Sequence, residues 1–283
     1  MPDRTRGRPG ASRWSPRTVT CDTGMALAEV VPERDRPWRR TLRLDGEDAS
    51  HVDLRDPRRI DWAYVRRLAD AADAVAPARA PIDAVHIGGG GFTLPRYVAQ
   101  TRPGSRQEVA EVDRGLVALA REHLGLRPSR ALRVRVDDGR AVLVRRAPAS
   151  ADLVVVDAFI AMEVPEHLTT VEFAALARRV LRLGGWIAVN VVEHPPLVTP
   201  SGSRARPVAA ALAGAFPHLA VVGTRKVLRR RQGGNVILLA AAAPLPLERL
   251  RARARRGPVP EVLLGGADAA AFAAAAPPRY DSA

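Results

Sequence analysis

The stretch that most constrains the fold runs from Pro81 to Asp113, PIDAVHIGGGGFTLPRYVAQTRPGSRQEVAEVD. Ile82 to Ile87 is a short apolar run of the kind that forms a buried strand. Gly88 to Gly91 follow, then a helical pattern to about Gln100. A second apolar run, Glu108 to Val112, carries Glu111 and is followed by Asp113. Glycines in a βα turn let the backbone approach a ligand, and the start of the next helix offers free N–H groups. An acid about 20 residues beyond such a turn is placed to accept hydrogen bonds from ribose hydroxyls. The dinucleotide pattern G-x-G-x-x-G fails, because Thr93 or Pro95 stands where the last glycine belongs. A mononucleoside such as S-adenosylmethionine or a relative fits better. The competing reading is a ligand-free sheet that needs a tight turn.

The rest of the chain continues the alternation. Residues 1–24 are rich in Arg, Pro, Ser, Thr and Gly and predict a disordered basic N-terminus, with Met25 an alternative start. Residues 25–75 predict a small β-hairpin, turning at Asp45–Gly46, and a helix beginning at Asp56–Pro57. Residues 76–243 predict a Rossmann-like nucleoside-binding domain with strands near Ala131–Val136, Asp152–Val156, Trp186–Val192, Ala220–Thr224 and Asn235–Ala241. Thr170 caps a helix that Gly184–Gly185 stops. Residues 244–283 predict an alanine-rich C-terminal tail. Strands alternating with helices indicate α/β layers over a mostly parallel sheet, whose ligands bind at the carboxyl ends of the strands. Gly88 to Gly91, Glu111, Asp138 and Asp157 all fall at such ends.

The formal charge of +14 in 283 residues raises the question of a nucleic-acid partner. The positive charge is almost all arginine, dispersed, with Lys226 the one lysine, and five Phe, four Trp and three Tyr make no stacking platform. A solvated arginine-rich surface is the better reading. One cysteine, Cys21, excludes an intrachain disulfide, and six scattered histidines show no metal-ligand spacing, so no metal is expected. No apolar run approaches the ~20 residues of a membrane helix, and the N-terminus lacks a secretory apolar core. The expectation is a cytoplasmic protein.

IGGGGFTLPR, EVD, DDGR, VVVDAF and LTTVEFAALARRVLRLGGWIAVNV together resemble the spermidine synthase (polyamine aminopropyltransferase) family, in particular its spermidine synthase-like branch in high-GC Gram-positive bacteria. The resemblance covers residues 40–243. It implies the class I S-adenosylmethionine-dependent methyltransferase fold, with a seven-stranded sheet and a small β-rich N-terminal part. It implies transfer of an aminopropyl group from decarboxylated S-adenosylmethionine to a small-molecule amine. By position it places Gly88, Gly89 and Gly90 beside the donor's sulfonium, Glu111 on the ribose and Asp138–Gly139 at the adenine. Asp157 matches the acid that receives the amine and draws off its proton. Tyr64 and Asn190 match positions near the substrate. Homodimerisation is a family habit for which the sequence specifies no interface.

The chain departs from the family at three places. The family's GGGDGG turn has Gly91 at its acid. The acid three residues after the catalytic Asp is Ile160, and the D-G-x-x-Q hairpin ends in Ala49. A buried unpaired ammonium is costly, so a diamine site should offer carboxylates at both ends. Two readings follow: a transferase of an aminopropyl or methyl group to an amine-bearing acceptor, or a non-catalytic nucleoside-binding or partner-binding descendant. Each residue also has a plain role open to it. Asp157 and Glu111 could cap neighbouring N–H groups, Asp137 competes with Asp138, Tyr64 could be core, and Glu163, Glu166, His167 and Glu193 could be solvated.

Overall fold

The computed structural model describes residues 14–198, 202–257 and 259–282. The first thirteen residues of the expected disordered N-terminus lie outside them. The remainder of that stretch departs from expectation, because β1 (Val19–Asp22) is a strand. It pairs with β2 (Leu27–Glu33), which pairs with β3 (Arg36–Leu44) and through it with β4 (Glu47–Asp53). The N-terminal part is therefore a four-stranded antiparallel sheet rather than one hairpin. The β3–β4 turn is the one legible in sequence: Asp45 and Gly46 both have positive φ, 50° and 84°, as the tightest hairpin turns require. Pro32 in β2 sits at a register shift, where a missing N–H does least harm.

The helix expected from Asp56 begins later, as α1 (Ala63–Ala74). The side chain of Asp53 accepts from the N–H groups of Arg55 and Asp56 and holds the preceding segment as a turn. Then come β5 (Asp83–Ile87), α2 (Thr93–Thr101), β6 (Arg106–Ala110), α3 (Arg114–His123), β7 (Leu132–Arg135), α4 (Gly139–Arg145) and β8 (Ala151–Val156). The chain continues through α5 (Val171–Val180), β9 (Leu181–Glu193), α6 (Ala205–Ala215), β10 (His218–Gly223), α7 (Arg225–Leu228) and β11 (Gly234–Ala241). It ends in α8 (Leu247–Ala254), β12 (Val262–Gly265) and α9 (Ala267–Ala274). Thr170 caps α5 by accepting from the N–H of Phe173.

These strands form one eight-stranded sheet in the order β12-β10-β11-β9-β8-β5-β6-β7. The block from β9 to β7 is parallel, while β11, β10 and β12 add antiparallel pairs. The expected seven strands thus gain β12, and the expected tail is a structural part of the domain. It supplies that strand, and Leu250 and Phe272 from its helices are buried in the core layers. One face of the sheet packs on α5, α6 and α9 through residues such as Phe173, Leu212 and Phe272. The other packs on α1, α2 and α8 through Leu68, Val98 and Leu250. A third apolar cluster joins the N-terminal sheet to α3 and the glycine turn through Leu42, Val52, Phe92 and Leu116.

Arginine is not only a solvated coat, as the composition suggested. Arg40, Arg67, Arg96 and Arg102 are buried. The Arg102 guanidinium donates to four carbonyls, those of Asp73, Ala76, Pro77 and Ala80, and so ties the end of α1 and the loop beyond it to α2. A five-donor fork can satisfy that set and a lysine cannot.

Candidate active site

From β5 the chain runs outward to β6 and β7, then returns to β8 on the opposite side of β5. The carboxyl ends of β5 and β8 therefore flank a topological switch point, where open parallel sheets present a crevice. The register brings the expected residues to this rim. Gly88 N–H donates to Ala110 O, Glu111 N–H to Arg135 O, and Asp157 N–H to Ile87 O, at 2.9, 2.9 and 2.8 Å.

The glycines of the turn serve different ends. Gly88 has φ +93°, and a Cβ there would lie 2.2 Å from the carbonyl oxygen of Asp157. That glycine lets the turn pack directly on the end of β8. A Cβ on Gly89 would strike the ring of Phe92, and one on Gly91 would lie 2.6 Å from Ser50 Oγ. Gly90, with φ +48°, is the one facing open space, its nearest contact being Ser50 Cβ at 4.0 Å. Gly91, where the family's turn carries an acid, thus has its side-chain volume filled by Ser50 from β4. Ser50 Oγ lies 3.3 Å from Thr93 Oγ1, which donates to His51 O at 2.8 Å.

Glu111 lies across the turn. Its carboxylate accepts from the N–H of Gly89 at 2.7 Å and from the N–H of Asp113 at 2.9 Å. Burial raises its pKa, opposed by N–H groups of Asp113, Gly89 and Gly90. A single carboxylate thus organises the glycine turn at the end of β6. Asp113 does the capping expected as an alternative for Glu111, accepting from Leu116 N–H at the start of α3.

Asp138 caps α4, accepting from Ala141 N–H at 2.9 Å, and its second oxygen lies 2.8 Å from His167 Nε2. Burial pushes Asp138 up, but these two contacts outweigh it and hold the carboxyl below its ordinary value. His167, weighed in the sequence as a solvated loop residue, thus sits on the expected adenine acid. Asp137 instead pairs with Arg145. A Cβ on Gly139 would fall 2.2 Å from Ile87 Cγ2, so this glycine lets α4 close on β5.

Asp157 is partly buried at the end of β8, and burial lifts its carboxyl to about 6 while a hydrogen bond from Asn190 pulls it back. Tyr64 on α1 faces it. Burial first, and the Asp157 charge second, push the phenol well above its ordinary pKa, and its hydroxyl donates to Ala49 O at 3.3 Å. Asn190, expected near the substrate, lies beside Asp157 beneath the rim. It is 1% exposed, with its amide nitrogen donating to Asp157 Oδ1 at 2.8 Å and its oxygen accepting from Asn235 Nδ2 at 3.0 Å. It stands behind Asp157 and holds it. Asn235 went unnoticed in the sequence, since only the β9–β11 register brings it there. Glu193 is buried too, accepting from Ser203 Oγ and from the N–H groups of Arg204 and Ala205 at the start of α6. Glu163 pairs with Arg204.

No protein-family model matches the chain. Over 207 residues it is 28% identical to the polyamine aminopropyltransferase of Vibrio vulnificus, a match covering 71% of this chain and 64% of that protein. The chain thus matches just under two thirds of the length of this curated relative. Among solved structures it is similar to a "probable spermidine synthase" from Corynebacterium glutamicum, with TM-score 0.86 and 27% identity over 95% of this chain and 98% of that one. It also resembles human methyltransferase-like protein 13 in complex with SAH, at TM-score 0.51 and 20% identity, covering 77% and 92%. The chain therefore has the class I methyltransferase fold, with resemblance to spermidine synthases in both sequence and structure.

Proposed function

We propose that this protein is a spermidine synthase-like transferase. It binds S-adenosylmethionine or its decarboxylated form and passes an aminopropyl or methyl group to a small-molecule amine. The observation that carries the reading is Asp157, a carboxylate held at about 6 at the end of β8, on the rim that also presents Gly90 and Glu111. Above that pH it is ionised and can orient an ammonium and take its proton. The amine nitrogen then attacks the carbon bound to the sulfonium; the N–C bond forms, the C–S bond breaks, and a neutral thioether leaves. The proton lost by the amine goes to Asp157. Glu111 would hold the ribose, Asp138 the adenine amino group in exchange with His167, and Tyr64 would wall the acceptor side.

The departures bear on the acceptor half of the site, where Asp157 is the family's acid that this chain keeps. Ser50 fills the space at Gly91, and Ile160 is 60% exposed where the family carries an acid. They also support the second reading, a nucleoside-binding descendant without turnover. Among the described residues no helix is long and apolar enough to cross a membrane. A cytoplasmic location and a homodimer complete the proposal.

The test is calorimetric titration with S-adenosylmethionine, its decarboxylated form and methylthioadenosine, followed by assay of thioether nucleoside release with a panel of amines. Tight binding with release supports the transferase. Binding without release by any amine supports the descendant, and no binding overturns both.

A further inference from the structure

Asp157, Asn190 and Asn235 form a row across three adjacent strands, β8, β9 and β11, on the face that packs on α1. Val156 pairs with Val189, so Asp157 and Asn190 are level. Asn190 pairs with Ile237 across β9 and β11, which places Asn235 diagonally on the same face. We infer that Asn235 is a positioning residue for Asp157, acting through the side-chain amide of Asn190.

The two ends of an amide are not equivalent: the nitrogen donates and the oxygen accepts. An ionised carboxylate only accepts, so Asn190 must turn its nitrogen toward Asp157. Its oxygen then faces Asn235, whose nitrogen donates to it. Turning Asn190 over would set its oxygen against the carboxylate and its nitrogen against that of Asn235. At 1% exposure Asn190 has no solvent to soften either clash. The carboxylate thus sets the direction of Asn190, and Asn235, by donating to its oxygen, holds the amide in that direction.

The relay favours the charged form of Asp157, opposing burial, which favours the neutral one. Tyr64, from α1, is the titratable side chain that the Asp157 charge acts on. The inference rests on the proposed function only in giving Asp157 a proton to take, and the relay itself stands on geometry.

The experiment titrates the full chain by nuclear magnetic resonance of isotope-labelled aspartate carboxyl groups, without donor or acceptor. The Asp157 signal is identified by its loss in Asp157→Asn. Asn235→Ala is expected to raise the Asp157 midpoint by about one pH unit, a tenfold gain in proton affinity. In an Asn190→Leu background the same substitution should add nothing, since the path is already cut. Asn235→Leu, which keeps the volume, carries the same expectation if the alanine variant does not fold. An unchanged midpoint, or an equal rise in both backgrounds, overturns the inference. A protein that titrates this way but turns over no amine would remove the function and leave the relay.

Discussion

Asp157→Asn should abolish turnover and make the protein more stable. The carboxyl sits at about 6, against an ordinary 3.8. Between those values the folded chain keeps a proton that the unfolded chain has released. Stability therefore falls as pH rises through that window and is flat above it. The gap is about two pH units at about 1.4 kcal/mol each, giving about 3 kcal/mol of destabilisation near pH 8. The partial opening of the site to solvent trims this to about 2 kcal/mol. Asparagine keeps an oxygen to accept from Asn190 Nδ2 and removes the charge. At about 2–4 °C per kcal/mol for a chain of this size, the variant should melt about 4–8 °C higher near pH 8. Near pH 4 the gain should vanish, because the native carboxyl is then protonated when folded. Thermal denaturation at both values decides it. Equal melting near pH 8, or a gain that persists near pH 4, would refute the account of Asp157 as a charge held against burial.

Glu111→Gln sets an amide nitrogen against one of the N–H groups of Gly89 and Asp113, so donor affinity should fall about 10- to 100-fold by calorimetry; unchanged affinity would remove Glu111 from the ribose. Gly91→Ala puts a Cβ 2.6 Å from Ser50 Oγ and should cost about 1–3 kcal/mol in urea denaturation. Adding Ser50→Gly should restore most of that loss, and failure to restore it would locate the strain elsewhere. A chain begun at Met25 loses β1 and the hydrogen bond from Thr23 Oγ1 to Asp113. It should be less stable by at least about 1 kcal/mol, and a denaturation midpoint equal to that of the full chain would count against a structural role for β1.

The parallel half of the sheet was legible because β5 and β8 are apolar runs closed by a glycine and an acid, with helical patterns between the strands. Gly88, Glu111, Asp138 and Asp157 could be placed on one rim because each follows the carboxyl end of a strand. The misses have physical causes. β1 alternates, but over four residues only and inside a stretch rich in Arg, Pro and Ser, and β12 lies in an alanine-rich context that reads as helix or coil. Their partners β2 and β10 stabilise them, and pairing of that kind is invisible in a local window. The burial of Asn190 was not legible because a residue's depth depends on its neighbours in the sheet. Asn235, 45 residues later, takes its oxygen. His167 is exposed, as weighed, and only its bond to Asp138, which lies at another strand end, was out of reach of the sequence.

The contacts of Thr93 with the Ser50 hydroxyl and the His51 carbonyl of β4 join the N-terminal sheet to the glycine turn. Gly91 lets the two surfaces meet without a gap. The small sheet is thus mechanically continuous with the crevice at the glycine turn rather than hinged beside it. Amide hydrogens of β4 and of the turn should exchange with solvent as one cooperative unit. A nucleoside that quiets the turn would then also slow exchange along β4, a protein strand it never touches.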